Sequence, residues 1–589
     1  MRTLLSLATT AALVLTLNPT TASAAPGDTK PPKKADLVMR HGSVELPSGK
    51  QAQAVAVRNG TIVFIGSDSD VRRYVGAKTK VVNLRGRTLM PGIEDGHIHL
   101  GPNLPVCDLE YAPLTVPELQ TRLRSCLTDE KAAGKTDRDW MKVVNWDMTM
   151  MKPAGLVPTK AILDALDTAR PIFVFSADGH NALVNSRALA LAGITKDTPN
   201  PTGGVIVRDA AGEPTGYLKE DTAIGLVAGK IPPAPLAERV QGLRDTLAYV
   251  TSKGLTAYAP QMLEETDLQA WKYLADRHEL PGLVRGSLNL DANEASADLP
   301  GTIATFKRLK RRYQGPNFKI TTVGEIFVDG VIEYPNQTAL LLKPYLVRNA
   351  KGHWVPGPTR GPVRITQKRL NRVVARLDRA GVQVHLHSIG DGAVRESLNA
   401  VAHARKVNGQ LGPTHVIAHA QLVHPRDYPR FKKLRVAPAV ATQWAERDPY
   451  TMDTLKPYIG TDRWKRLYPW RSLLDAGAAI ANGSDFPVED LSPMTQLEMA
   501  VTRTIQDAQG QKKYEPPLGA DQRITLTEAI RIHTLNTATL LGLAKQTGSM
   551  TVGKRFDAIV LSGNLRKVAV RKISDLKVTR TYVAGRRVS

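Results

Sequence analysis

The sequence predicts an α/β protein: a (β/α)8 TIM-like barrel with a small β-sandwich domain built from both chain ends. Strand-like apolar runs alternate with helix-length amphipathic stretches through the middle of the chain, which is typical of parallel β/α units. Short β-rich segments occupy the two ends. Over 589 residues, 42% hydrophobic and 23% charged residues describe a globular protein. This composition excludes a disordered, collagen-like or disulfide-scaffold chain.

Residues 1–24 have the layout of a secretory signal peptide. Arg2 precedes an apolar stretch at 4–17, and Ala22-Ser23-Ala24 offers small residues for cleavage. A membrane-spanning helix needs about 20 apolar residues, more than this stretch or any later one provides. We therefore expect a secreted protein without a transmembrane segment. Its mature chain would begin with a Pro- and Lys-rich linker at 25–35.

The β-sandwich is predicted in two parts, at 36–90 and 546–589. In the first part, Asn59-Gly60 separates two β-branched runs, which is a strong hairpin pattern. The barrel is predicted at 91–545, with an insertion at about 101–170 whose own fold the pattern does not define. The apolar runs taken as barrel strands include 171–176, 381–387 and 478–482.

The chain is strongly basic, with 79 Lys and Arg against 55 Asp and Glu and a net charge of +24. The basic residues are mostly dispersed, and the densest run, 307–312, fits one solvated helix face. A solvated basic surface is the first interpretation, and binding to nucleic acid or an anionic envelope is the second. We expect no specific nucleic-acid partner and only weak electrostatic contact with an anionic envelope.

The two cysteines, Cys107 and Cys126, lie 19 residues apart. In an oxidising compartment they can pair, and two unpaired buried thiols are the alternative. Two cysteines without a Cys-x-x-Cys pattern do not favour a thiolate metal site.

The motif with the clearest chemistry is His97-Ile-His99, which follows a Pro-Gly turn. Residues i and i+2 of a strand face the same side, so both imidazoles can bind one cation. A second His-x-His pair, His385 and His387, lies on another strand-like run. We interpret His385 as a supporting or structural residue and His387 as the candidate ligand.

Further candidate ligands follow other strand-like runs, where a β/α barrel places its functional groups. The interval from His387 to His419 is 32 residues, about one β/α unit, and from His419 to Asp485 it is 66, about two units. The same argument selects Glu325. Four histidines and two carboxylates suit Zn²⁺, Fe²⁺ or Mn²⁺ better than Ca²⁺ or Mg²⁺, which prefer oxygen ligands.

In this order the motifs resemble the amidohydrolase superfamily, specifically the branch called amidohydrolase family 3 or YtcJ-like. The resemblance covers essentially the whole mature chain. Its motifs are Met90-Pro-Gly-Ile-Glu-Asp-Gly-His-Ile-His99, Ser176-Ala-Asp-Gly-His180 with Val184-Asn-Ser186, His387-Ser-Ile-Gly-Asp391, His415-Val-Ile-Ala-His419-Ala-Gln421 and Gly483-Ser-Asp485-Phe-Pro487.

The resemblance implies that His97 and His99 bind the more buried metal with Asp485, and that His387 and His419 hold a second metal. It also implies that Glu325 bridges the two metals, at a position where members often carry a carboxylated lysine. This difference leaves both one and two metals open.

The resemblance further implies that His180 and Asp178 contact the substrate, and a histidine that packs a loop is the alternative for His180. Trp146 and Trp444 are candidate residues lining the pocket, and burial in the core is the alternative for both.

The predicted function is hydrolysis of a C–N bond in a small-molecule amide, cyclic amide or N-formyl compound by a secreted metal-dependent enzyme. Metal-activated water would attack the carbonyl, Asp485 would act first as base and then as acid, and His180 would stabilise the oxyanion. The alternatives are a non-catalytic or regulatory protein on the same scaffold, a cyclic-amidine deaminase, and a basic envelope- or nucleic-acid-binding protein. The sequence defines neither the substrate nor the oligomeric state.

Overall fold

The computed structural model describes residues 32–102, 104, 106–153, 155–409, 412–506 and 510–589. The predicted signal peptide and positions 25–31 of the predicted linker lie outside this range. No helix in the described part of the chain combines the length and apolar character needed to cross a membrane.

Eight parallel strands form the central sheet, and they neighbour one another in chain order. The predicted barrel is therefore confirmed. Because parallel strands end at the same edge, their C-terminal residues share one rim. The barrel strands are Ile93–Ile98, Leu255–Pro260, Leu283–Leu288, Phe318–Phe327, Gln383–Ser388, His415–His419, Val436–Val440 and Ala481–Asn482.

Hydrogen bonds between the first and last strands bring the two edges of the sheet together. Asn482 Nδ2 donates to the Glu94 carbonyl at 3.1 Å. Just beyond the last strand, the Asp485 amide donates to the His97 carbonyl at 3.0 Å, and the His99 amide donates to the Phe486 carbonyl at 2.8 Å. The barrel is thus closed at the rim that carries the candidate ligands.

Amphipathic helices cover the outside of the barrel. In Gln367–Arg379, Leu370, Val373 and Leu377 are buried while the basic residues are exposed, as the helical period of 3.6 residues requires. The barrel helices are Leu236–Ser252, Glu265–Asp276, Ala292–Ala297, Leu299–Tyr313, Gln367–Arg379, Asp391–Asn408, Tyr428–Leu434, Lys456–Ile459, Thr461–Trp464, Trp470–Asp475, Pro493–Thr502, Leu526–Arg531 and Thr537–Leu540. A short hairpin, Leu346–Arg348 with Trp354–Pro356, and two π-helical turns, Tyr450–Leu455 and Ile532–Asn536, lie in the connections.

Two sheets at one end of the molecule form the predicted sandwich, and both chain ends contribute to it. Thr88–Pro91 pairs antiparallel with Ala558–Leu561, and Met39 and Val57 of one sheet share a core with Phe556 of the C-terminal part. The smaller sheet contains Leu37–Arg40, Ala54–Arg58, Thr61–Gly66 and Lys80–Asn83, and the larger contains Ser43–Glu45, Gln51–Ala52, Thr88–Pro91, Ala558–Leu561, Val578–Val583 and Arg586–Arg587.

The insertion after the first barrel strand is longer than the predicted 101–170. A separate six-stranded sheet extends to Lys219, so the run at 171–176 belongs to the insertion and not to the barrel. Apolar runs look alike in sequence whichever sheet buries them. Its strands are Cys107–Asp108, Met141–Trp146, Ile172–Ser176, Asn181–Val184, Val205–Arg208 and Pro214–Lys219, and its helices are Val116–Ala132, Ala161–Asp164, Ser186–Ala192 and Asp221–Ala228.

A disulfide joins Cys107, on the edge strand of the insertion sheet, to Cys126, on the helix Val116–Ala132. Of the two possibilities that the sequence leaves open, the structure has the paired form. The bond ties the helix to the sheet that it covers.

Replacing both cysteines with alanine is expected to lower the free energy of unfolding of the insertion by about 3 kcal/mol, because the unfolded chain loses its cross-link. Thermal unfolding should show a lower midpoint in the double variant. A reductant should lower the midpoint of the wild type to a similar value and leave the variant unchanged. Equal midpoints for the oxidised wild type and the variant would contradict this expectation.

Candidate metal centre

Three side chains meet at the C-terminal rim: His97 in the first barrel strand, His99 directly after it, and Asp485 after the last strand. Asp485 Oδ1 lies 2.9 Å from His97 Nε2 and 3.1 Å from His99 Nε2. His97 is buried, whereas the His99 side chain is 29% exposed. The two imidazoles therefore face one carboxylate oxygen, as two residues on the same side of a strand can.

Glu325 lies between these histidines and His419. Its Oε1 is 3.1 Å from His419 Nε2, and its Oε2 is 3.6 Å from His97 Nε2 and 3.7 Å from His99 Nε2. The two oxygens of one carboxylate thus point to different imidazoles. This is the arrangement that a carboxylate bridging two ions requires.

A glycine lets the fourth strand carry Glu325 this close to the fifth. A Cβ atom at Gly324 would lie 2.6 Å from the carbonyl oxygen of His385 and 2.7 Å from its Cβ. A real Cβ atom does not approach a backbone oxygen or another side chain this closely, so the approach of the two strands depends on glycine.

Two overlapping groups of donor atoms result. His97, His99 and Asp485 form one, and His97, Glu325 and His419 form the other, with all ligand atoms of a group within 4.8 Å of each other. Buried carboxylates need a compensating positive charge. Imidazole nitrogens and carboxylate oxygens together suit a divalent transition metal or zinc. The residues present therefore fit a metal ion.

The two buried carboxylates of the cluster attract positive charge. Burial by itself would raise the pKa of the Glu325 and Asp485 carboxyls, but the neighbouring imidazoles, His97 foremost, hold both well below the usual range. Burial likewise opposes a charge on His97, yet the two carboxylates raise its pKa to about 9. Opposite charges are balanced within one buried cluster.

Two of the predicted ligands adopt a backbone conformation that side chains other than glycine rarely take. The φ angle is 67° at His419 and 59° at Asp485, both in the left-handed region. Such strain concentrates at functional sites, where surrounding contacts fix it. Both residues stand where a barrel strand passes into its loop.

His387 lies beside the cluster and outside both donor groups. Its ring centroid is 4.7 Å from that of His419, and its Nδ1, 3.4 Å from Asp329 Oδ1, makes no hydrogen bond to a described residue. Its role as a ligand remains a prediction. His385 approaches the cluster differently, because its Nε2 lies 2.7 Å from His97 Nδ1, where it can orient that ring.

His180 reaches the same rim from the insertion. Its ring centroid lies 4.9 Å from that of His387, and its Nδ1 is 2.8 Å from Glu220 Oε2. The Arg364 guanidinium donates to the same oxygen and to Asp221. Glu220 and Arg364 belong to none of the motifs recognised in the sequence. No pattern identifies them, since a loop of the barrel and the insertion bring them together.

His180, Glu220 and Arg364 remain charged although they are buried. Burial opposes a charge on His180, but the Glu220 carboxylate raises its pKa to about 9. Burial would also raise the pKa of Glu220, yet His180 and then Arg364 lower it to about 2. A cationic imidazole with one fixed nitrogen therefore faces the rim.

The other predicted substrate residues have different surroundings. Asp178 accepts hydrogen bonds from the His180 amide at 2.9 Å and from Asn181 Nδ2 at 2.6 Å, so it supports the loop that carries His180. Trp444 is half-buried and stacks on His419, with ring centroids 5.5 Å apart. Trp146 is fully buried in the apolar core of the insertion. Its predicted place in the pocket is corrected to the alternative, a core residue.

Two buried aspartates position the loops of the site through backbone amides. Asp95 accepts from the His97 and Ser484 amides at 3.0 and 3.1 Å, which links the loop of Asp485 to the first strand. Asp329 accepts from three amides at 2.9 Å, including those of Ile389 and Gly390 just beyond His387. Asp95 stands within the motif Met90–His99, and the resemblance carried by that motif did not reveal this role.

Comparisons with known proteins agree with the motifs. A family model described as the amidohydrolase family matches residues 80–589. The putative amidohydrolase YtcJ of Bacillus subtilis is 28% identical, with 92% of this chain and 96% of the relative covered. The N-substituted formamide deformylase of Arthrobacter pascens is 26% identical, with 93% and 97% covered.

Among solved structures, an uncharacterized metal-dependent hydrolase from Pyrococcus horikoshii has a similar fold. It matches with a TM-score of 0.67 and 23% identity over 91% of this chain and 99% of the other. The resemblance inferred from the motifs is confirmed. This chain belongs to the amidohydrolase family, and its donor groups fit a metal-dependent hydrolase of carbon–nitrogen bonds.

Proposed function

We propose that this enzyme is exported and hydrolyses small-molecule amides, with N-substituted formamides as the first substrate class to test. The observation that carries the proposal is the Asp485 carboxylate, which contacts both His97 and His99 and lies beside Glu325, a carboxylate between two imidazoles. Formamides are tested first because the Arthrobacter pascens relative is named an N-substituted formamide deformylase. Cyclic amides are the second class.

His97, His99 and Asp485 would hold one ion, His419 and His387 would hold a second, and Glu325 would contribute its carboxylate to both. The nitrogen-rich donor set favours Zn²⁺, with Fe²⁺ and Mn²⁺ as alternatives. When bound, such an ion lowers the pKa of a water molecule toward neutrality and polarises a carbonyl group.

Asp485 is placed to carry the proton. Its Oδ1 is held by two imidazoles, whereas Oδ2 lies 3.9 Å from His419 Nδ1 and is less engaged. Oδ2 would accept a proton from the attacking water and return it to the leaving nitrogen, so one carboxylate acts as base and then as acid. The low carboxyl pKa keeps Asp485 ionised before the reaction begins.

His180 would stabilise the negative charge that develops on the substrate oxygen. Glu220 occupies Nδ1, which leaves Nε2 as the donor toward the site. A donor that is already fixed in place costs no reorganisation during the reaction. Trp444, stacked on His419, would provide an aromatic wall for the substrate.

Export is supported by the N-terminal sequence pattern and by the disulfide. A bond between Cys107 and Cys126 persists in an oxidising compartment and is rare in the cytosol. Together these features favour an extracellular enzyme.

Replacing Glu325 with alanine should lower the metal content from two ions per chain to one or none, because the bridging carboxylate is lost. Elemental analysis after loading with Zn²⁺ measures this content. Glu498→Ala is the matched control, since Glu498 is also a buried glutamate but accepts from the Ser574 amide. One ion in both the wild type and Glu325→Ala would show that Glu325 does not bridge.

Asp485→Asn should lower kcat for an N-substituted formamide such as N-benzylformamide by about 10²–10⁴-fold, because an amide cannot hold the transferred proton. Released formate measures turnover, and metal analysis shows whether the variant still binds its ions. Substantial activity in a metal-loaded variant would remove Asp485 from this role. Ammonia released from cyclic amidines would indicate the deaminase, and a metal-loaded wild type inactive on both classes would favour the non-catalytic alternative.

Glu220→Gln should lower kcat about 10- to 100-fold, with little change in KM or metal content, because His180 loses the carboxylate that fixes its ring. Glu213→Gln, at an exposed glutamate of the insertion, is the control. A loss of metal that parallels the loss of activity would instead make Glu220 a structural support of the metal centre.

A further inference from the structure

A groove of about 920 Å³ lies on the outside of the barrel, away from the metal centre. Its walls are the helices Gln367–Arg379 and Asp391–Asn408, which follow the fourth and fifth barrel strands. The function proposed above makes no use of this groove.

The groove is lined by positive charge. Lys368, Arg369, Arg372, Arg376 and Arg379 line one wall and are exposed, and His403 is exposed on the other wall. None of the described lining residues is a carboxylate. Among described contacts, only Arg372 of the five uses its side chain, which donates to the Ser296 carbonyl at 2.6 Å.

The cations form a row because of helix geometry. Spacings of three and four residues place Arg369, Arg372, Arg376 and Arg379 on one face. At 1.5 Å per residue, this row spans about 15 Å, with a charge at each turn of about 5.4 Å. The opposite face is buried through Leu370, Val373, Val374 and Leu377, so packing holds the row toward the groove.

The densest basic run of the sequence is a weaker candidate. In the helix Leu299–Tyr313, Arg308 and Arg312 both form ion pairs with Glu265, at 3.2 and 3.4 Å. That run is therefore partly neutralised within the protein. The groove carries fewer consecutive cations, but none of them lies beside a described carboxylate of the lining, so they can meet an external anion.

We propose that this groove binds a linear phosphate polymer without bases, of the polyol phosphate type, and so attaches the exported enzyme to an anionic cell envelope. Charge complementarity supports a polyanion, and the row matches one extended chain carrying several phosphates. The described lining contains no Phe, Tyr or Trp, and its one ring is the imidazole of His403, which disfavours single-stranded nucleic acid. Val407 is its one large exposed apolar residue, whereas a membrane-binding helix inserts an apolar face.

The test measures binding of a fluorescent polyglycerol phosphate chain to the metal-loaded full-length mature protein, by anisotropy between 50 and 200 mM salt. The groove variant carries Arg369→Gln, Arg376→Gln and Arg379→Gln. The control variant carries Lys307→Gln, Lys310→Gln and Arg311→Gln on the other basic helix. Each removes three positive charges, and glutamine suits a helix as well as the residues it replaces. Circular dichroism verifies that both variants fold.

The groove variant should bind at least about tenfold more weakly at 50 mM salt. The slope of log K against log salt should become shallower by about 2, since three phosphate contacts are lost. The control should change by less than about twofold. Inorganic polyphosphate that competes equally would show that the phosphate chain alone is recognised, and weaker competition would show that the polyol also contributes. Both results support the proposal.

Equal losses in the two variants would overturn the proposal, because they would reduce the binding to general attraction by a protein of net charge +24. Single-stranded DNA that binds as tightly, with the same sensitivity to the groove variant, would make the groove a nucleic-acid site. Binding only to anionic phospholipid vesicles would make it a membrane contact. Because none of these measurements uses catalysis, failure of the proposed amide hydrolysis would leave their result unchanged.

Discussion

The junction of the first and last barrel strands supports everything else in the site. Asp485 and His97 are 388 positions apart, yet they exchange a side-chain contact and a backbone hydrogen bond within a few ångströms. Asp95 strengthens the junction by accepting from amides on both sides. Closure of the barrel and placement of Asp485 beside His97 thus depend on the same contacts.

The ionisable groups buried at this rim must compensate one another's charge. Transferring two carboxylates and three imidazoles from water into the protein would be unfavourable if each group stood alone. They are tolerated because each carboxylate oxygen faces an imidazole, and a bound cation would stabilise the arrangement further. The left-handed conformations of His419 and Asp485 fit the same picture, since a tightly packed site can hold backbone that a free loop would release.

The sequence predicted those parts of the fold and site that follow from repeating geometry. The ends of parallel strands must share a rim, so His97, His99, Glu325, His419 and Asp485 could be placed together from their positions behind apolar runs. Contacts between distant loops follow no such rule. The sequence therefore could not predict the contacts of Glu220 with His180 and Arg364, which only the structure shows.

The two predictions that the structure corrects, for the run at 171–176 and for Trp146, failed for a related reason. The run at 171–176 has the composition of a barrel strand but is buried in another sheet, and Trp146 is aromatic and near a motif but lies in a core. Local composition indicates burial without indicating which core receives the residue.

The division of the sandwich between the two chain ends determines when its strands can pair during synthesis and folding. Thr88–Pro91 pairs with Ala558–Leu561. The N-terminal strand is synthesised early, but it cannot form this pairing until the C-terminal strand has been synthesised. Until then, Thr88–Pro91 exposes unpaired amides and carbonyls that could pair with another chain. Contacts of such long range also form slowly. A chain shortened at its C-terminus would keep every candidate ligand but lose the partner of its own N-terminal strand, and it would be prone to aggregation.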